Sequence, residues 1–109
     1  MTHFAYLEGA RIVAGDGTFL GIVTRSSVHP LSISNVVGPY GGTVSPTSIF
    51  TIVGPYGSQV APMSPFNPVT TIPPRILKQD SLMGYLTVNV LITPRIDPYE
   101  LAGWLRAED

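Results

Sequence analysis

A chain of 109 residues with 11 glycines, 11 prolines and only 12% charged residues is long enough for one domain with one modest core, and it favours turns and short strands over helices. Its 44% hydrophobic content separates it from disordered chains, and six basic against seven acidic residues exclude the charged footprint of a protein that holds nucleic acid or a membrane surface. The absence of cysteine excludes disulfides and thiol chemistry, and no apolar run approaches the roughly 18 residues of a membrane span.

From the N-terminus, residues 1–11 lack a basic start followed by an apolar stretch and a small-residue cleavage site, so no secretory signal is expected and a cytoplasmic location is. His3 to Leu7 reads as a short strand ended by Gly9. Residues 11–24 read as a hairpin in which Asp16-Gly17 predicts a type I′ turn, the two-residue turn that needs positive φ at both central positions. Counting back from that turn sets Ile12 opposite Gly21, a position without a side chain where something can pack closely.

Residues 30–68 repeat with a period of sixteen. Ser32-Ile33-Ser34-Asn35-Val36-Val37-Gly38-Pro39-Tyr40-Gly41 recurs as Ser48-Ile49-Phe50-Thr51-Ile52-Val53-Gly54-Pro55-Tyr56-Gly57, and a third copy starts at Ser64 and decays. A proline stands two positions before each serine, at Pro30, Pro46 and Pro62. The Gly-Pro-Tyr-Gly segments are expected to be turns, because proline lacks an amide proton and glycine permits a bend, with Val36-Val37 or Ile52-Val53 before each turn and Val44 or Val60 after it as short buried stretches. A Pro-rich stretch at 61–74, with Pro62, Pro65, Pro68, Pro73 and Pro74, reads as a stiff crossing to the next hairpin.

The first hairpin has its own duplicate. Arg75-Ile76-Leu77 with Leu82-Met83-Gly84-Tyr85-Leu86-Thr87 matches Arg11-Ile12-Val13 with Phe19-Leu20-Gly21-Ile22-Val23-Thr24, which sets Ile76 opposite Gly84. Gln79-Asp80-Ser81 suits a three-residue loop. Beyond it, Leu86, Val88, Val90 and Ile92 alternate with Thr87, Asn89 and Leu91, which predicts one long strand to Thr93 within a 75–93 unit. The tail predicts a helix over 98–107: Asp97 as N-cap, Pro98 at the first position, Glu100 closing a capping box, and Leu101, Trp104 and Leu105 on one face. The expected fold is therefore mainly β within a single domain, two duplicated β-hairpins joined by Gly/Pro-rich 16-residue turn repeats, with one short C-terminal α-helix.

The ordered combination of Ser-Ile-x-Asn/Thr-x-x-Gly-Pro-Tyr-Gly with Ser-Pro-x-Ser-Ile, bracketed by Asp-Gly-x-x-Leu-Gly hairpins, resembles a group of small repetitive bacterial proteins over roughly residues 11 to 89. The resemblance implies no activity, cofactor or catalytic residue. The second hairpin lacks the Asp-Gly turn, the copy at Ser64 lacks Tyr-Gly, and the tail from Val90 departs from the pattern.

No catalytic or metal-ligating constellation is expected. The histidines are His3 and His29, and His29, before Pro30, is suited to capping a turn as Ser45 is before Pro46. No Gly-x-Ser-x-Gly elbow occurs, and Gly15 to Gly21 has the wrong spacing and context for a phosphate loop. Asp16 and Asp80 are turn residues, Asp97 and Glu100 belong to the helix cap, and Glu108 and Asp109 end the chain, which leaves Glu8 unassigned. No cofactor is implied.

Three functions follow in order. The first is a non-enzymatic structural or interaction protein acting as a homo-oligomer through Leu86, Val88, Val90, Ile92 and Trp104, since both faces of the predicted strand are apolar and a small domain has little to cover them. The alternative is a binding module for a small ligand or glycan that uses Tyr40 and Tyr56 with His29. The third is an enzyme with His29 or Glu8 as base.

Overall fold

A computed structural model of the protein describes residues 4–107. Among the described residues five strands form one mixed sheet in the order β2-β1-β3-β4-β5: β1 (Arg11–Val13), β2 (Phe19–Ile22), β3 (Arg75–Lys78), β4 (Ser81–Leu86) and β5 (Arg95–Ile96). A nine-residue helix α1 (Pro98–Arg106) closes the chain. Fold class and helix thus agree with the sequence reading.

The two hairpins meet through their first strands. β1 pairs antiparallel with β3 so that Ile12 lies opposite Ile76, Arg11 opposite Leu77 and Val13 opposite Arg75. Residues that match in the duplicated sequence therefore exchange places about the Ile12–Ile76 pair. On the outer strands Gly21 faces Ile12 and Gly84 faces Ile76, as the spacing predicts. A Cβ at Gly21 would lie 2.7 Å from both Ile33 Cγ2 and Tyr40 Cβ, and one at Gly84 would lie 2.8 Å from Ile96 Cδ1. Missing side chains on the sheet are thus where the repeats and the β5 segment dock.

The turn types are exchanged relative to expectation. In the loop of the first hairpin Gly17 has positive φ, +89°, and Asp16 does not; Ala14 N–H donates to Thr18 O and Gly17 N–H to Ala14 O, which makes a three-residue loop and not a type I′ turn. The cause is Asp16, whose Oδ1 accepts from Thr18 N–H at 3.0 Å, an Asx turn that holds Asp16 at negative φ. In the second hairpin Gln79 and Asp80 have φ of 53° and 65°, and Lys78 pairs with Ser81, so the two-residue turn is here. A register shift in each hairpin absorbs the difference, between Ile12 and Val13 and between Ile76 and Leu77, which is why the Ile–Gly registers survive.

One predicted strand is replaced over its described residues and another is cut short. Ala5–Leu7 forms one turn of 3-10 helix that buries Leu7, and His3 lies outside the described residues. The strand predicted to Thr93 ends at Leu86. Thr87 Oγ1 accepts from Asn89 N–H and Asn89 Oδ1 from Leu91 N–H, both at 3.0 Å, so short polar side chains curl the chain back and β5 returns parallel to β4.

Residues 29–70 contain no strand; the backbone instead turns about every third residue. Ser32 N–H donates to His29 O, Asn35 to Ser32 and Gly38 to Asn35, and sixteen residues on, Ser48 donates to Ser45, Thr51 to Ser48 and Gly54 to Thr51. The series Ala61, Ser64, Asn67, Thr70 continues it. Ser32, Ser48, Ser64, Asn35, Thr51 and Asn67 are all buried, each with side-chain hydrogen bonds to nearby backbone, which is the condition for burying a polar group. Gly41 and Gly57 close the first two units against the backbone oxygens of Asn35 and Thr51, where a Cβ would come within 2.3 Å.

These units lie side by side between the two ends of the sheet. Val36 and Gly41 of the first border the same cleft as Phe50 of the second, and Ile52 and Gly57 of the second border the same cleft as Phe66 of the third. At one end Ile22 of β2 donates to Leu31 O and accepts from Ile33 N–H; at the other Val88 N–H donates to Pro65 O and Asn89 Nδ2 to Thr70 O. Ile33, Ile49, Leu20, Leu86 and Leu101 fill the core between stack, sheet and helix.

Candidate functional site

His29 is exposed, and its Nδ1 accepts from Leu31 N–H at 3.0 Å. Sixteen residues later Ser45 Oγ accepts from Thr47 N–H at 3.4 Å, so the imidazole holds the place of the serine hydroxyl before the proline. The His29 carbonyl accepts from Asn35 Nδ2 at 3.2 Å as well as from Ser32 N–H. Glu8, the other base considered, is exposed beside Gly9.

The repeat tyrosines are directed at the first hairpin. Tyr40 stacks edge-on against Phe19, with ring centroids 5.0 Å apart, and its Cβ sits over Gly21. Tyr56 is buried, and its hydroxyl donates to Asp16 Oδ2 at 2.9 Å and lies 3.0 Å from Thr18 Oγ1. The Thr18 backbone bond first, then the Thr18 and Tyr56 hydroxyls, hold the Asp16 carboxyl below its ordinary range. Neither ring stands free on the surface.

The five residues expected at an oligomer interface separate into three environments. Leu86 and Trp104 are buried within the chain. Trp104 packs edge-on to Phe4, the Arg25 guanidinium lies 4.2 Å from its ring centroid, and Arg25 Nε and Nη2 donate to the Trp104 carbonyl. The partner wall expected for Trp104 is therefore supplied by the chain itself. Val88 and Ile92 are half-buried, while Val90 is exposed beside Leu91.

The aliphatics of the turn units, expected as short buried stretches, are exposed instead, because serine, asparagine and threonine side chains occupy the inside. Val37, Val53 and Leu91 are 92%, 89% and 87% exposed, and Val44 is 90% exposed. Val36, Ile52, Val69 and Val90 are exposed beside or in the place of these, and Val28 and Val60, sixteen residues before and after Val44, are exposed like it. The signal was present as an apolar pair directly after three buried polar residues: Val36-Val37 after Asn35, Ile52-Val53 after Thr51, Val90-Leu91 after Asn89.

A cleft of about 190 Å³ lies between Arg25, Ser27, Phe50, Leu105 and Arg106, and one of about 140 Å³ between Ile49, Phe66 and Tyr99, both below the usual size of small-molecule sites. A broader hollow of about 370 Å³ is walled by Ile52, Ser58, Gln59 and Val60 alone. Among the described residues no three His, Asp or Glu side chains converge as metal ligands, and no helix is long and apolar enough to cross a membrane. Sheet, helix and turn stack define a small mainly β domain whose most distinctive surface is a set of aliphatic turn corners. Comparison with protein-family models, curated proteins and solved structures found no match.

Proposed function

We propose that the protein is a non-enzymatic structural or interaction protein that works as a homo-oligomer. The observation that carries this reading is the inversion of the turn stack: Ser32, Asn35, Ser48, Thr51, Ser64 and Asn67 lie inside it, while valines, an isoleucine and a leucine face solvent at its corners. A contiguous apolar surface on a small domain marks an interaction site, because exposing it to water is unfavourable and covering it is not. The engagement of Tyr40, Tyr56 and His29 in packing and turn closure favours this reading over a ligand site built on those side chains. Light scattering coupled to size exclusion tests it. The expected result is a mass of two or more chains at micromolar concentration; a single-chain mass persisting to high micromolar concentration would refute it.

A further inference from the structure

Resting on that reading, we infer that the protein associates through one face, the row of corners Val36-Val37, Ile52-Val53, Val69 and Val90-Leu91, and that the partner covering it is a second copy of the same chain.

The row is continuous because its units are neighbours. The cleft shared by Val36 and Phe50 is repeated one unit on by Ile52 and Phe66, and the Val90-Leu91 corner is tied beside the third unit through Asn89 Nδ2 to Thr70 O. The corners are also held in place. Asn35, Asn67 and Asn89, all buried, each accept on Oδ1 from the amide two residues on, that of Val37, Val69 and Leu91. A surface fixed by buried anchors loses little conformational freedom when it binds, so more of the contact energy survives as affinity.

Area and charge identify the occupant. At the exposures given by the structure, the seven side chains offer roughly 800 Å², which is about what each partner contributes to a standard protein interface. No Asp, Glu, Lys or Arg occurs from Ser26 to Pro74, or from Leu86 to Pro94; all thirteen charged residues lie elsewhere in the chain. The row itself carries no charge. Arg25 and Arg106 border it at the Val36–Phe50 cleft, where Arg25 donates to the Trp104 carbonyl and Arg106 lies over the Phe50 ring. The length of the face therefore offers no complementary charge to nucleic acid, an anionic lipid surface or a charged protein. A second copy brings the same uncharged aliphatic row, and an isologous two-fold contact sets it against itself without like-charge repulsion. Leu86 and Trp104, being inside the core, take no part.

The test combines sedimentation of Val37→Lys/Val53→Lys/Val69→Lys with cross-linking of single-cysteine variants, which the cysteine-free chain makes unambiguous. The three valines are open to solvent, so the lysine variant is expected to keep its far-UV spectrum and melting temperature while its mass falls from that of the wild-type oligomer to that of one chain. At least one of Val37→Cys, Val53→Cys and Val69→Cys is expected to give a covalent dimer with a short bis-maleimide, while Glu8→Cys remains a single chain; this arm decides if the lysine variant fails to fold. A wild-type oligomer that the lysines leave intact, with no cross-link from any of the three cysteines, would overturn this face while leaving the oligomer reading standing. A wild-type chain that is monomeric throughout would overturn both.

Discussion

The Tyr56 hydroxyl donates to Asp16 Oδ2 across 2.9 Å and forty positions of sequence, so the second turn unit is latched to the loop of the first hairpin. The same carboxylate accepts from Thr18 N–H on its other oxygen, and that bond sets the loop's conformation. One aspartate thus fixes the local turn and its long-range partner. Because the folded state holds the Asp16 carboxyl below its ordinary range, folding favours its ionised form. That stability is fully present above the unfolded-state value, about pH 4, and is lost as pH falls through the lower folded-state value. Thermal melting from about pH 6 to about pH 3 is expected to drop more steeply for the wild type than for Asp16→Asn. Parallel curves would show that the latch does not titrate.

Gly21 and Gly103 should respond to alanine in opposite directions. Gly21 has φ +116°, and a Cβ there would press on Ile33 and Tyr40, so Gly21→Ala is expected to cost on the order of 2 kcal/mol or more. Gly103 lies in α1 with nothing within 4 Å of the new Cβ, so Gly103→Ala is expected to stabilise by about 0.5–1 kcal/mol. Urea denaturation of the two variants reads both signs, and a neutral Gly21→Ala would contradict the docking of the repeats on the sheet.

Asp97 caps α1 by accepting from Tyr99 N–H at 2.8 Å and Glu100 N–H at 3.4 Å. Glu100 returns no bond, so the cap is one-sided and not the reciprocal box that the spacing suggests. Asp97→Ala is expected to lower stability by about 1 kcal/mol, and Glu100→Ala to change it little. Equal losses from the two variants in thermal melts would restore the box.

Leu86 and Ile33 are fully or almost fully buried where the sheet meets the turn stack. Leu86→Ala and Ile33→Ala are each expected to cost about 2–5 kcal/mol, the range for truncating a core aliphatic. Val53→Ala, at an open corner, should leave the stability of a single chain nearly unchanged. Denaturation at concentrations low enough to favour one chain separates these effects, and a small loss at Leu86 would return it to the surface.

Legibility in the sequence followed the range of the forces involved. The helix was readable because Asp97-Pro98 and the Leu101, Trp104, Leu105 face are local signals, and the Ile12–Gly21 and Ile76–Gly84 registers because a hairpin is arithmetic on one turn. The turn types were not, since an Asx bond at Asp16 and a bulge in each hairpin redistribute one residue without altering the register further along. Leu86, Val88, Val90 and Ile92 alternate as in a strand, yet Thr87 and Asn89 decide the outcome through hydrogen bonds to amides two residues on. The turn-closing role of His29 was readable from its place before Pro30. The aliphatic corners were not, because apolar pairs beside Asn35 and Thr51 read as core until the polar residues are seen to occupy the inside.

Sedimentation equilibrium of the wild-type chain from about 0.05 M to about 1 M salt, a range that removes the screened part of any ionic contact, reads whether the aliphatic corners carry association. The expected mass lies above the 11.7 kDa of one chain, with association as strong or stronger at high salt. A mass that stays at one chain, or an oligomer that dissociates as salt is raised, would contradict it.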